Sequence, residues 1–267
     1  YTAVVDTDTT PLTVFGRQQE TAKGYNLKYP GKRSYSPLIS SEGTTGLSLG
    51  ILLRPGNFHS SEGALDFLKI ILHKLPSSIA ATRIRLRLDG GFYDKDTIHF
   101  LDEQGYRYLI SAKMTHPLRK RMFAARYHRF APGWEAAKFS YTPFHWEQSH
   151  RFIAIRRPAE AEPEDQQKLF TFKRYSYHNT LVTNLTLTPE AIYRSYCKRA
   201  TQELLLRELK DSYYMAKIPS RMFYANAAYA EIILWAYDLV LAFQHLFLQP
   251  QYQHWKIATL RRELCCL

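Results

Sequence analysis

The sequence has little of what a disulfide-stabilised protein needs. Its 267 residues include three cysteines, Cys197, Cys265 and Cys266, which are too few and too clustered for a disulfide framework. A reducing cytoplasm is therefore the expected compartment. The ten histidines show no metal-ligand spacing, and no segment has the pattern of a secretory signal.

An uninterrupted hydrophobic run long enough to cross a membrane is also missing. The longest apolar stretch, Ala227 to Leu248, contains Glu231 and Asp238, so it predicts a buried helix of a globular protein. No internal repeat is visible. The chain does not begin with Met, and we expect it to be a fragment whose upstream part is missing.

Acidic residues are scarce relative to basic ones. There are 36 Lys and Arg against 24 Asp and Glu, which gives a formal net charge of +12. The usual partner of such a positively charged surface is a polyanion. An anionic membrane is the alternative, but no polybasic amphipathic helix supports it.

The first part of the chain contains a strand, a helix and a second strand with short connections. Residues 83–89 alternate like a strand and stop at two glycines, 94–104 have the pattern of a helix, and 106–112 that of the next strand. Asp94 begins this helix and is expected to be its cap or an acid of its first turn. This order predicts an α/β unit with parallel strands.

The composition of the sequence changes between residues 113 and 179. Aromatic and basic residues interleave there, and short runs alternate as strands do. These features predict a β-rich insertion subdomain. We therefore divide the chain into 1–112, the first part of an α/β core, 113–179, the insertion, and 180–267, the last part of the core. Two long helices are predicted in that last part, from Pro189 to about Lys210 and from about Ser220 to Phe247.

The first of these helices carries the strongest functional signal. At 100° per residue, Tyr196, Arg199, Glu203 and Lys210 fall within a stripe about 60° wide. A carboxylate flanked by two cations and a phenol suits a site that holds metal and phosphate together. Taken alone, a solvated face with charge pairs explains this spacing more often.

The same four residues carry a family resemblance. Tyr196-x-x-Arg199-x-x-x-Glu203 followed by Lys210 is similar to the Y-R-E-K signature of bacterial cut-and-paste transposases in the insertion-sequence 4 superfamily, and most similar in pattern to the thirteen-eighty insertion-sequence family. Val5-Asp6-Thr7-Asp8-Thr9-Thr10 and Leu88-Asp89-Gly90-Gly91-Phe92 resemble the family's first-Asp and second-Asp motifs.

The resemblance implies an RNase H-like α/β fold, in which helices flank a mixed sheet and a β-rich insertion separates the second Asp from the Glu helix. It implies that Asp8, Asp89 and Glu203 form a catalytic, metal-binding triad for Mg²⁺, with two ions and with Mn²⁺ as a substitute. The implied reaction is DNA cleavage at transposon ends followed by strand transfer, in a homodimeric complex. It also implies a bacterial protein, cytoplasmic and associated with the nucleoid.

Further site residues follow from the same resemblance. Tyr196, Arg199 and Lys210 would bind DNA phosphates, and Trp146, or with less support Trp134, would stack on a flipped base. The alternative for both tryptophans is packing of the small sheet. Phosphate contacts are also expected from a group of basic residues: Arg119, Lys120, Arg121, Arg126, Arg156 and Arg157.

Three alternatives stay open at this stage. Asp6 competes with Asp8 for the first carboxylate position, because strand alternation puts both on one face; the Asp-Thr-Thr context favours Asp8. A catalytically inactive DNA-binding remnant competes with an active transposase. A plain metal-dependent nuclease is disfavoured by the Y-R-E-K match, because a nuclease need not hold two DNA segments at once.

Overall fold

The computed structural model describes residues 2–159 and 175–265. Within it the chain forms two compact units: unit 1 contains Tyr1–Ile84 and Arg199–Leu267, and unit 2 contains Arg85–Lys198. These boundaries differ from the predicted division at 112 and 179, which stays a prediction. Part of the predicted insertion, 160–174, lies outside the described residues.

The strands are, in chain order, β1 (Ala3–Thr9), β2 (Leu12–Val14), β3 (Ala22–Lys23), β4 (Arg33–Tyr35), β5 (Leu38–Glu42), β6 (Ser48–Leu52), β7 (Ile84–Leu88), β8 (Arg107–Ser111), β9 (His128–Ala131), β10 (Trp134–Tyr141), β11 (His150–Pro158) and β12 (Tyr175–Thr183). The α-helices are α1 (Ala64–Lys74), α2 (Lys95–Glu103), α3 (His116–Phe123), α4 (Pro189–Cys197), α5 (Ala200–Asp211), α6 (Phe223–Phe247) and α7 (Ile257–Cys265).

Unit 1 combines two groups of antiparallel strands with helices. β5 pairs with β1 on one side and with β6 on the other, while β4 lies between β2 and β3. One apolar cluster joins Leu12 and Ile39 from these strands to Leu205 and Leu209 of α5 and to Leu234 of α6. This packing holds the end of β1 beside α5.

Unit 2 is a mixed sheet with helices packed on it, in the strand order β7-β8-β12-β11-β10-β9. β7 and β8 are parallel, as the strand-helix-strand pattern predicts, and the remaining pairs are antiparallel. Asp94 caps α2 by accepting hydrogen bonds from the backbone N–H groups of Asp96 and Thr97, which confirms its predicted role. The protein is therefore of the mixed α/β class.

The predicted helix from Pro189 to Lys210 is wrong in one respect, because it is interrupted. α4 ends at Cys197 and α5 begins at Ala200. Lys198 and Arg199 keep right-handed helical dihedral angles, but the backbone N–H of Gln202 donates to the carbonyl of Arg199, three residues back rather than four. The 60° stripe calculated for a continuous helix therefore applies only from Arg199 onward.

The prediction that the long apolar helix is buried is also wrong. One face of α6 packs in the unit 1 core through Ala230, Ile233 and Leu234, but its other face is exposed, with Trp235 67% and Leu239 72% accessible. Among the described residues α6 is also the helix whose length and mean hydropathy of 1.3 would suit a membrane span. Periodicity identifies the apolar side chains of a helix but not which of them are covered.

Two glycines of unit 1 allow a close approach of two backbone segments. A Cβ on Gly24 would lie 1.7 Å from the carbonyl oxygen of Gly56, and a Cβ on Gly56 would lie 2.5 Å from the carbonyl oxygen of Ser34. Both obstacles are backbone atoms, which cannot move as a flexible side chain can. Only glycine fits at either position without moving one of the segments.

We predict that Gly24→Ala lowers the free energy of unfolding by about 3 kcal/mol, since the added methyl group forces the two segments apart. Gly90→Ala is the matched control, because its Cβ would meet the carbonyl oxygen of Ser111 at an ordinary 3.5 Å. Urea unfolding measures both variants. Equal midpoints for the two variants would contradict the close approach at Gly24.

Candidate active site

A cleft of about 610 Å³ lies in unit 1 between the end of β1 and the face of α5. Its charged lining residues are of both signs: Asp8, Glu203 and Asp211 are acidic, and Lys28, Arg207 and Lys210 are basic. Carboxylate oxygens bind hard cations, and ammonium and guanidinium groups bind phosphate oxygens. The cleft therefore has the side chains for both kinds of ligand.

The two candidate aspartates of β1 differ in their surroundings. Asp8 lines the cleft, and its Oδ1 accepts a hydrogen bond of 2.8 Å from the backbone N–H of Thr9. Asp6 is fully buried and is not among the lining residues. This difference favours Asp8 as the first carboxylate, in agreement with the Asp-Thr-Thr context.

Arg199 contacts both predicted metal ligands of unit 1. Its Nη2 lies 2.8 Å from Oδ2 of Asp8, and its Nη1 lies 3.8 Å from Oε1 of Glu203. The Arg199 and Asp8 side chains are only 11% and 13% exposed, whereas that of Glu203 is 63% exposed. Arg199 thus neutralises Asp8 in a largely desolvated setting, and the Glu203 carboxylate stays accessible.

Lys210 enters the same cleft from the last turn of α5. Its Nζ donates a hydrogen bond of 2.7 Å to Oγ1 of Thr10, so Thr10 holds the ammonium group in place. Burial lowers the pKa of Lys210, and the nearby Asp211 carboxylate opposes that shift. A partly desolvated cation binds a phosphate more strongly than one in water.

Two cations of the cleft were missed in the sequence. Arg207 lies four residues after Glu203, so helical spacing alone places it on the same face of α5 and could have identified it. Lys28 lies in a connection between β3 and β4, where no periodic pattern marks a residue as lining a site. Only the folded chain brings it to the cleft.

Asp89 is located in unit 2, directly after β7. Its Oδ1 accepts a hydrogen bond of 2.8 Å from the backbone N–H of Gly91 and caps the short 3-10 turn Gly90–Phe92. This arrangement agrees with the predicted strand that ends in an Asp before a Gly-Phe turn. One carboxylate oxygen thus fixes the local turn.

Tyr196 is also in unit 2, and its hydroxyl group has a different partner from the predicted phosphate. The side chain is buried in an apolar cluster, and its hydroxyl donates to the carbonyl oxygen of Leu88 at 3.3 Å. A phenol has one proton, and phosphate oxygens only accept. A hydrogen bond to phosphate would therefore require this hydroxyl group to leave Leu88. In the observed conformation Tyr196 holds the strand end next to Asp89.

Trp146 lies in the loop between β10 and β11. Its ring stacks on Tyr93 at 5.3 Å between centroids and meets His150 edge-on at 5.1 Å, so one face is already covered. Phe144 in the same loop is 80% exposed and was not identified from the sequence. The stacking of Trp146 on a base stays a prediction. Trp134 packs against His178 and Tyr193.

The predicted phosphate-binding bases of unit 2 have different environments. Arg156 lies between the rings of Tyr127 and Tyr175, 3.7 Å from each centroid, and forms an ion pair with Glu135 at 2.7 Å. These contacts stabilise the fold. By contrast, Arg126 is exposed on a groove of about 560 Å³. The other basic side chains that line this groove are His128, Arg129 and Lys138.

Comparison with known proteins identifies the family of the chain. The sequence matches the family model of the transposase DDE domain, group 1, over residues 2–266. The chain belongs to this family. The resemblance read from the sequence motifs is therefore confirmed at the level of a DDE transposase. No curated protein matches the sequence.

Seven chains of solved structures match this DDE domain. Among them is the cryo-EM structure of a piggyBac transposase synaptic complex with hairpin DNA, with 10% sequence identity and a TM-score of 0.49. The match covers 93% of this chain and 50% of that chain, so the DDE domain spans about half the length of that relative.

The donor chemistry of the DDE domain fits a hard divalent cation. Asp8 and Glu203 present carboxylate oxygens to one cleft, which are the ligands that Mg²⁺ prefers. Within residues 2–159 and 175–265, however, no group of three or more His, Cys, Asp or Glu side chains is close enough to hold a metal ion. Arg199 supplies the positive charge beside Asp8, and a cation would compete with it for that carboxylate.

Proposed function

We propose that the chain is the catalytic domain of a cut-and-paste transposase, which cleaves DNA at transposon ends and transfers the strands through the triad Asp8, Asp89 and Glu203. The observation that carries the proposal is the unit 1 cleft. Two carboxylates of the proposed triad line it, together with Lys210 of the same sequence signature. A packing role does not explain an exposed carboxylate and a half-buried cation on one helix face.

The finer family assignment belongs to the same proposal. The Y-R-E-K spacing supports a member of the insertion-sequence 4 superfamily, most similar in pattern to the thirteen-eighty family. An RNase H-like core is supported by β1, which contains Asp8, and by β7, which ends just before Asp89 and pairs in parallel with β8. The antiparallel strands β9 to β12 are in sequence between Asp89 and Glu203, as the expected insertion would be.

Asp8, Asp89 and Glu203 would hold Mg²⁺, or Mn²⁺ in its place. When bound, two such ions would activate the attacking oxygen and stabilise the leaving oxygen of an in-line displacement. In the first reaction water cleaves one strand, which leaves a 5′-phosphate and a free 3′-OH. In the second, that 3′ oxygen attacks another phosphodiester and displaces its 3′ oxygen, so one bond is formed for each bond broken.

The remaining residues of the cleft position the DNA backbone and the carboxylates. Three basic side chains bind phosphate oxygens as fixed positive charges: Lys210, Lys28 and Arg207. This binding weakens as the salt concentration rises. Arg199 orients Asp8 through an ion pair of 2.8 Å. Tyr196, through Leu88, holds the end of β7 that presents Asp89.

DNA is the proposed partner beyond the cleft as well. The unit 2 groove lined by Arg126, Arg129 and Lys138 suits a phosphate backbone, and Trp146 and Phe144 are the aromatic side chains available to a flipped base. The proposal includes a homodimer in the synaptic complex and a cytoplasmic, nucleoid-associated location in a bacterium.

An inactive DNA-binding remnant is the second candidate, and a cleavage assay separates it from the enzyme. DNA that carries the element's terminal repeats is incubated with the protein and Mg²⁺ or Mn²⁺, and strand cleavage and strand transfer are followed on gels. We expect metal-dependent products for the parent and none for Glu203→Gln, with DNA binding retained in both. The exposed control Glu103→Gln removes an equal charge elsewhere and should leave the products unchanged.

DNA binding by the parent without any metal-dependent product would support the remnant and reject the enzyme. Cleavage without any strand transfer would instead support the plain nuclease. Full activity in Glu203→Gln would remove Glu203 from the triad.

A further inference from the structure

The exposed face of α6 is an apolar surface of unit 1 that the active-site proposal leaves unexplained. Six large apolar side chains project from it: Ile232, Trp235, Leu239, Phe243, Leu246 and Phe247. The least exposed of them, Phe243, is 47% accessible, and Leu246 and Phe247 reach 74%. Contiguous apolar surface of this kind marks an interaction site rather than an ordinary solvated face.

The spacing of these residues is that of a helix that packs against another helix. Ile232, Trp235, Leu239, Phe243 and Leu246 follow one another at intervals of three, four, four and three residues. At 100° per residue they fall within a stripe about 80° wide. Intervals of three and four are the pattern of a helix seam, in which apolar side chains of one helix fit between those of its partner.

The charges of α6 indicate which partner this face does not bind. The chain as a whole carries +12, yet α6 contains no Lys or Arg, and its two charged residues are the acids Glu231 and Asp238. A surface for DNA would need cations to replace the counterions of the phosphates. The exposed face of α6 is therefore unsuited to the DNA that the rest of the chain attracts.

A membrane also fits poorly. A single helix that spans a membrane alone is surrounded by lipid, but α6 buries Ala230 and Leu234 in the core of unit 1. The carboxylate of Asp238 accepts hydrogen bonds from the backbone N–H and the hydroxyl group of Ser48, at 2.8 and 2.6 Å. A helix that lies on a membrane surface usually carries Lys and Arg along its edges, and α6 has neither.

We propose that the exposed face of α6 is a dimer interface that pairs with the same face of a second copy of the chain. The six side chains offer on the order of 800 Å² per copy, about what each partner buries in a stable protein interface. An apolar stripe with seam spacing is complementary to itself under a two-fold axis. The side chains of the stripe carry no charge, so they add no repulsion of their own between two strongly basic chains, although Arg261 lies beside Leu239 and Phe243.

Sedimentation equilibrium of the 267-residue chain without DNA tests the interface. We expect the parent to associate from 31.2 kDa to twice that mass at micromolar concentration. Trp235→Glu and Leu239→Glu should each raise the dissociation constant at least ~100-fold, because a two-fold interface contains each substitution twice and buries its charge. Ile70→Glu, at an exposed apolar position of α1, should leave the constant unchanged.

Circular dichroism checks that the variants fold, as expected for substitutions at exposed positions. A monomeric parent at tens of micromolar, or a dimer that survives both α6 substitutions, would overturn the proposal. Binding of the monomeric parent to phosphatidylcholine or phosphatidylglycerol vesicles, lost in Leu239→Glu, would replace the dimer by a membrane surface. The measured mass does not depend on catalysis, so a failure here leaves the transposase proposal to its own cleavage assay.

Discussion

Replacement of Asp89 by Asn is expected to abolish strand cleavage and leave the fold intact. The Oδ1 atom of Asn can still accept the hydrogen bond from Gly91 that caps the turn after β7. What the substitution removes is the negative charge that a divalent cation needs. Removal of a residue that merely supports a metal ligand costs 10–100-fold, so loss of a ligand charge should lower the cleavage rate by more than about 10³-fold.

Asp94→Asn provides a matched control for this prediction. Asp94 is also a cap, because it accepts hydrogen bonds at the start of α2, and it lies only five residues downstream. The expected result is normal metal-dependent cleavage by Asp94→Asn and none by Asp89→Asn, with equal DNA affinity in a gel-shift assay. If Asp89→Asn cleaved at the parental rate, the second position of the triad would have to be reassigned.

Replacement of Arg199 by Met should lower the free energy of unfolding by about 3 kcal/mol, since it removes the guanidinium group that pairs with the largely desolvated Asp8 carboxylate at 2.8 Å. Arg194→Met is the control. Arg194 pairs with Glu190 at a similar 2.7 Å, but its side chain is 70% exposed, so the loss should be at most ~0.5 kcal/mol. Urea unfolding compares the two variants, and equal losses would show that Arg199 does not stabilise a buried charge.

The same variant connects stability to the proposed metal site. Without Arg199, Mg²⁺ loses the competitor that pairs with Asp8 at 2.8 Å. A ligand at 100 times its dissociation constant stabilises the folded state by about 2.7 kcal/mol. We therefore expect Mg²⁺ to raise the unfolding midpoint of Arg199→Met more than that of the parent. Equal responses to Mg²⁺ would argue against Asp8 as a ligand.

Local patterns in the sequence predicted much of the fold. The alternation of residues 83–89 and the short connections around α2 were sufficient for the parallel pair β7 and β8, and Asp94 was recognised as a cap from its position before an apolar run. Helical spacing also identified Glu203 and Lys210 as neighbours on one face, and both line the cleft. These features depend on residues a few positions apart.

What the sequence could not predict depends on distant contacts. No Pro or Gly marks the break between α4 and α5, so periodicity continued the helix through Lys198 and Arg199. The hydroxyl group of Tyr196 bonds to Leu88, more than a hundred residues away in the chain. The covered face of α6 likewise depends on packing against strands from the first part of the chain.

The arginines enclosed by the fold change how the strong positive charge of the protein should be interpreted. Arg54 is 3% exposed and donates to the carbonyl oxygens of Ser36 and His59, and Arg156 is enclosed between two tyrosine rings. These groups contribute to electrophoretic mobility and to the isoelectric point, but they cannot reach a phosphate. The number of counterions that bound DNA displaces is therefore smaller than a count of Lys and Arg implies, and the salt dependence of binding is correspondingly weaker.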